Sequence, residues 1–299
     1  MPVPPAESRE YHQFFRTERY RLWKSMLAIV LAPAGIYLTG AIVIFFYMLY
    51  VGITGAEDTY KLHLIGKTTP ALFLINNLNI ALCILLVFGI AAILFHQKSG
   101  YMSSITGKFR WRLFWRFMFI IVPFFAVFFI TGLLTAGMPK FEITSTTIPM
   151  IIIILLTTPL QCAGEEYLYR GLINRACGGV FQNRMAGLIC GIIISSATFA
   201  YAHHSTDFGL NMFYLANGVA ACLLVWKTGG LEAAVAHHII SNFAGGLAVL
   251  PFTDFSNMFT GRNSDILTLM QTLTTICAAA AVIWQARRLA LPTNAVPPH

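Results

Sequence analysis

Apolar residues gather into long runs along the chain, broken by short segments that carry most of its charges, glycines and prolines. A run of roughly 20 predominantly apolar residues is what a helix needs to cross the hydrocarbon core of a bilayer. The pattern predicts eight such spans, near Leu27–Val51, Ala71–Phe95, Phe117–Leu134, Ile148–Tyr169, Ala186–His204, Leu210–Trp226, Leu231–Leu250 and Ile266–Trp284. The expected architecture is all-α, a polytopic membrane helical bundle of about eight transmembrane helices. No internal repeat of fixed period and no low-complexity tract interrupts it. One membrane domain is therefore expected over residues 25–288, after a basic cytoplasmic segment 1–24 and before a short tail 289–299, Pro-rich and expected to be disordered.

Three polar clusters break the apolar pattern inside predicted spans. Gly164-Glu165-Glu166-Tyr167-Leu168-Tyr169-Arg170 ends the fourth, Phe199-Ala200-Tyr201-Ala202-His203-His204 closes the fifth, and His237-His238-Ile239-Ile240-Ser241-Asn242 lies in the seventh. An ionisable side chain at the bilayer centre costs on the order of 2.5–3.5 kcal/mol even on lenient scales, so such residues are functional candidates by default. On a helix, Glu166 and Arg170 stand four apart on one face, with the acid N-terminal to the base, the favourable order for pairing. Glu165 is rotated by about 100° and lacks that partner. One glutamate thus reads as a counter-ion and the other as a reactive group. Phe199 with His203, and His238 with Asn242, share faces in the same way. The span map also sets a problem of depth. His203 falls near the far end of its span and His238 soon after the start of another, a separation of roughly 15–20 Å at about 1.5 Å per residue if the two run the same way. They meet only if the fifth span starts deep, tilts or ends in a buried loop.

Composition agrees with the hydropathy. Hydrophobic residues make up 57% of the 299 and charged residues only 11%, against about 25% charged in a soluble domain. The first residues are polar and basic, so no cleaved targeting peptide is read there. The net charge of +8 raises nucleic acid as a partner, but its distribution argues against that. With the N-terminus inside, inner segments hold Arg9, Arg16, Arg19, Arg21, Lys24, Lys98, Lys108, Arg110, Arg112, Arg116, Arg175, Arg184, Lys227, Arg287 and Arg288. Outer loops hold Lys61, Lys67, Lys140 and Arg262, fifteen against four. This is the positive-inside pattern, with both termini cytoplasmic. Lys108 to Arg116 interleaves basic and aromatic residues and reads as an interfacial segment entering the third span. The six cysteines include no CxxC pair and read as small hydrophobes.

The clusters bring together two glutamates, an arginine, histidines and an asparagine. One carboxylate and two imidazoles can hold zinc, the set being Glu165, His203 and His238. The same groups can instead hold a water between a carboxylate base and an imidazole, with Asn242 and a second histidine donating to a developing oxyanion. The residues alone leave both open.

In order and spacing the clusters resemble the EExxxR, FxxxH and HxxxN motifs of the CPBP family of intramembrane proteases (CAAX-processing and bacteriocin-processing, or Abi, proteins). Arg170-Gly171 after the first motif and Gly229-Gly230-Leu231 before the third strengthen the likeness, which covers residues 164–242. The resemblance implies an intramembrane endopeptidase acting on membrane-associated or leader/CAAX-like peptides. It implies Glu165 as the base activating water with His203, His238 and Asn242 as the oxyanion site, and Glu166 and Arg170 as supports. Family members are described both as metalloproteases and as glutamate proteases; Asn242 beside His238 favours the metal-free form, with zinc as the alternative cofactor. The Phe and Asn spacings select His203 and His238 from the doubled histidines. The implied partners are a peptide or protein substrate and the lipid bilayer, not nucleic acid, and the expected location is a bacterial plasma membrane. Two other classes compete: a non-catalytic scaffold or partner-binding protein of the same fold, and, last, a transporter, which needs charges along a whole path.

Overall fold

The computed structural model describes residues 7–55, 69–136, 143–248, 250–252 and 263–297. Helix α1 (Leu22–Thr54) is followed by α2 (Pro70–Phe95), the short α3 (Ser99–Ser103), α4 (Trp111–Ala136) and α5 (Thr147–Glu166). Then come α6 (Asn174–Gly178), α7 (Arg184–Tyr201), α8 (Phe208–Thr228), α9 (Glu232–Asn242) and α10 (Ile266–Arg288). A π-helical segment, Tyr167–Ile173, joins α5 to α6, and a second, Phe243–Leu247, continues α9. Among the described residues eight helical stretches are long and apolar enough to cross a membrane, as the hydropathy predicts. Four of the described helices start where a side chain satisfies a first-turn amide. Thr69 caps α2 ahead of Pro70, Asn183 caps α7, Asp207 caps α8, and Asp265 forms a capping box with Thr268 on α10. Large apolar side chains such as Phe45, Ile53, Ile93 and Phe119 stay exposed on the outer surface, as lipid-facing positions should. Lys61, Lys67, Lys140 and Arg262 lie outside the described residues.

The depth problem is resolved at the start of α9. Residues 103–105 and 229–231 meet in an antiparallel bridge, Ser104 with Gly230. There the Ile105 amide donates to the Gly229 carbonyl at 3.0 Å and the Leu231 amide to the Ser103 carbonyl at 2.8 Å. Gly229 takes the left-handed conformation that ends α8 (φ 68°), which glycine adopts without a Cβ clash. Helix α9 therefore begins on a floor buried inside the protein. Its first residue, Glu232, has a fully buried side chain. Arg110 clamps it, with the Arg110 amide and Nε both donating to Oε1 (2.8 and 2.9 Å) and Nη2 to Oε2 (2.7 Å).

The fifth span ends earlier than its apolar run suggests. Helix α7 stops at Tyr201, so His203 and His204 stand in the following turn rather than in the helix, and His204 has a positive φ of 49°. This turn ends α7 at the level of the Glu165–Glu166 pair instead of carrying the chain past it.

The terminal segments also depart from expectation. Within the tail expected to be disordered, β2 (Asn294–Ala295) pairs antiparallel with β1 (Arg9–Glu10), which brings these two segments together at one end of the bundle. After β1, Tyr11 to Phe15 are buried. They enclose Arg175, counted from sequence as an inner-loop residue but fully buried, whose guanidinium lies 3.6 Å from the Tyr11 ring centroid and donates to the Tyr101 carbonyl at 2.6 Å. The Tyr11 hydroxyl donates to the Met102 carbonyl. The N-terminal segment is thereby locked to the layer beneath the α9 floor.

His12 belongs to this plug. Its Nε2 donates to the Arg184 carbonyl at 3.1 Å, and burial holds the imidazole below its ordinary pKa while Glu10 pulls the other way. A depressed folded pKa means that the unfolded chain takes up the proton first. The stabilisation is present above the unfolded value of about 6.5 and is lost as pH falls through the folded one. Thermal unfolding of the detergent-solubilised protein is expected to show a lower midpoint at pH 5.5 than at pH 7.5, with a smaller drop in His12→Gln. An equal drop in both would remove His12 as the cause.

Candidate active site

The first motif is placed by close contact between α2 and α5. A Cβ at position 164 would collide with the Ile80 carbonyl oxygen, so glycine lets the two backbones touch at this level. Glu165 and Glu166 follow at the end of α5, where the π-helical segment begins. Such segments are uncommon and occur often at functional sites; here one begins within the first motif and includes Arg170, and another follows the third. Arg170 Nη1 donates to Glu166 Oε1 at 3.1 Å, with both side chains about 1% exposed. The pairing expected from the spacing is therefore present, and fully buried.

His238 stands between the two carboxylates. Its Nδ1 lies 2.8 Å from Glu166 Oε1 and its Nε2 lies 3.6 Å from Glu165 Oε2. A carboxylate oxygen can only accept, so Nδ1 carries a proton toward Glu166. Glu166 Oε1 thus takes both Arg170 and His238, which makes it the joint of the site. Glu165 lacks the arginine partner: its Oε1 accepts from Gln161 Nε2 at 2.5 Å, and its buried Oε2, like that of Glu166, has no hydrogen-bond partner among the described residues.

Phe199 separates the two imidazoles. Its ring meets His203 edge-on at 4.7 Å and His238 at 5.9 Å between centroids, and the Arg170 guanidinium lies 4.4 Å from it. His203 Nδ1 donates to the Phe199 carbonyl at 2.8 Å, which leaves Nε2 as the ring's acceptor when the imidazole is neutral. Tyr214 of α8 stacks on His203 at 3.8 Å and 23° between planes, fixing the ring orientation.

Asn242, one turn beyond His238, points the same way. Its Nδ2 donates to Gln161 Oε1 and contacts Cys162 Sγ, each at 3.3 Å. Both amide protons are thus engaged, and the contact to sulfur, a weak acceptor, is the one given up at least cost. Of the alternate histidines, His204 is exposed in its turn, and buried His237 packs edge-on against Phe125 of α4. A cavity of about 40 Å³ is lined by Glu166, Arg170, His203, His237, His238 and Asn242 among others; Glu165 borders the site without lining that cavity. A water needs roughly 10–15 Å³ by this measure, so the space suits water and is too small for a peptide. Among the described residues no three His, Cys, Asp or Glu side chains converge closely enough to hold a metal, so Glu165, His203 and His238 do not form a ligand set as they stand.

Sequence reasoning missed Gln161, Tyr214 and Cys162. Gln161 carried a signal, being a polar residue four positions before Glu165; Tyr214 and Cys162 carried none, because their contacts depend on which helices pack together.

Fold and site define a polytopic helical membrane protein with a buried carboxylate–imidazole centre. Residues 144–244 match the family described as Type II CAAX prenyl endopeptidase Rce1-like, and the three motifs all lie inside that segment. The resemblance read from the motifs to CAAX-type membrane proteases therefore holds at family level over this segment. No curated protein and no solved structure matches the chain.

Proposed function

We propose that the protein is an intramembrane endopeptidase in which Glu165 activates a water for attack on a peptide carbonyl. The observation that carries this reading is the inequality of the two glutamates. Each keeps a buried Oε2 without a hydrogen-bond partner, but Glu166 is neutralised by Arg170 and held by His238 at 2.8 Å, whereas Glu165 pairs with no arginine or lysine among the described residues and its open oxygen lies 3.6 Å from an imidazole nitrogen. A carboxylate in that position accepts the water proton. His203 helps to hold the water through Nε2. The oxyanion that forms is stabilised by the Asn242 amide proton released from Cys162 and by Nε2–H of His238, which acts as the imidazolium, with Nδ1–H on Glu166 and Nε2–H toward the reacting carbonyl. Glu166 and Arg170 fix the ring of His238 and so the direction of its Nε2. Proton return from Glu165 to the leaving amine completes the hydrolysis.

The substrate class is a peptide in or at the membrane, of CAAX-like or leader type. The small cavity means that such a peptide must widen the site or reach it from the side. The site belongs to a single membrane domain over 25–288, in a bacterial plasma membrane with both termini cytoplasmic. The basic residues of segments 9–24 and 108–116 support that orientation.

The test is cleavage of a quenched peptide library by detergent-purified wild type and His203→Ala, each with and without a strong zinc chelator. Cleavage by wild type that persists with chelator and is lost in His203→Ala is expected. Loss of wild-type activity with chelator would overturn the metal-free mechanism and return to zinc held by Glu165, His203 and His238. Cleavage retained in His203→Ala would remove that residue from the mechanism. A wild type that cleaves nothing would favour the non-catalytic scaffold.

A further inference from the structure

We infer that Gln161 is a positioning residue that couples the base to the oxyanion donor by bridging Glu165 and Asn242. This rests on the protease reading above. Gln161 lies one helical turn before Glu165 on α5, is 8% exposed, and faces α9. Its orientation follows from chemistry. The Glu165 carboxylate only accepts, so the amide nitrogen of Gln161 must face Glu165; the amide oxygen is then left to accept from Asn242 Nδ2. One rigid planar group therefore ties two of the four residues assigned to the reaction, and they come from different helices.

The bridge does two things. By engaging Glu165 Oε1 it leaves Oε2, on the His238 side, as the oxygen that takes the water proton. By accepting from one Asn242 proton it fixes which end of that amide is nitrogen and aims the second proton, now resting on Cys162 Sγ, at the place an oxyanion would occupy. Polar side chains in a membrane interior are held best when each finds a partner. Here all partners belong to the site: the Gln161 amide contacts Glu165, Asn242 and the Cys162 thiol, which donates to Oε1 at 3.4 Å. That pattern separates Gln161 from residues such as Asn77, whose amide bonds to the hydroxyls of Thr157 and Thr158 and joins α2 to α5 higher in the bundle.

The experiment compares full-length wild type, Gln161→Met and Gln161→Ala in detergent. Met keeps the length without the hydrogen bonds; Ala adds no bulk where Met does not fit. Infrared spectra of protein with ¹³C-labelled glutamate, at one fixed pH, read the carboxylate band of Glu165, assigned by its absence in Glu165→Gln. The same samples are assayed for kcat, KM and thermal midpoint. The expected result is a shifted Glu165 band together with kcat lowered by about 10- to 100-fold at nearly unchanged KM and midpoint. A band at its wild-type position in both variants overturns the inference whatever the cleavage result. So does a shifted band with unchanged kcat. A shifted band in a protein whose wild type cleaves no peptide overturns the protease reading and leaves the Gln161 bridge standing.

Discussion

Glu165→Gln is expected to lower kcat for peptide cleavage by about 10³-fold, within the range that positioned acid–base groups contribute, while the protein folds as before. Glutamine preserves shape and can still accept from Gln161 through its amide oxygen, so the contact at Oε1 survives. What it loses is the ability to take a proton from water. Glu166→Gln serves as the contrast. It removes the counter-charge of Arg170, which is fully buried, and an uncompensated buried charge is strongly destabilising. The first variant should therefore lose turnover and keep its thermal midpoint, and the second should lose both. Steady-state kinetics and thermal unfolding on the same preparations check this. A Glu165→Gln enzyme with more than a tenth of wild-type kcat would exclude Glu165 as the base.

Glu232→Ala is expected to destabilise the fold by about 3 kcal/mol, the low end for removing one partner of a buried ion pair. The low end applies because the Arg110 side chain is 11% exposed and keeps its bond to the Thr228 carbonyl. The loss extends beyond the guanidinium, since the Arg110 backbone amide also loses its acceptor. Glu232→Gln, which retains an acceptor for that amide, should cost less. Because α9 carries His238 and Asn242, the floor that fixes its first turn also fixes their depth, and cleavage should fall along with stability. Unfolding in mixed micelles, followed by circular dichroism, reads the stability change. A variant with wild-type stability and activity would mean that the floor is held by the 103–105 and 229–231 backbone contacts alone.

Much of the site was legible before any helix was packed. A helix places residues four apart on one face whatever surrounds it, so the pairing of Glu166 with Arg170 and the common direction of His238 and Asn242 follow from spacing. That Glu165 does not share the Arg170 partner follows as well, because adjacent residues on a helix are rotated by about 100°. The resemblance to a protease family rests on those same residues.

The errors have a common source. Glu232 and Arg175 are fully buried charges that hydropathy registers only as lying outside apolar runs. Whether a charge between spans meets water or folds back beneath the bundle depends on segments far away in sequence: residues 103–105 for the start of α9, and Tyr11 to Phe15 for Arg175. The tail was misjudged for the same reason, since its partner strand lies at the other end of the chain.

By itself, then, the sequence determined the eight spans, the motif residues and the faces they share, because hydrophobic length and helical period are local properties. Only the tertiary structure decided that both glutamates flank His238, that Phe199 divides the imidazoles, and that Gln161 joins Glu165 to Asn242. Those contacts depend on the depth at which each helix starts and stops. That depth is set by non-local backbone bonds and buried ion pairs, which no periodicity along the chain records.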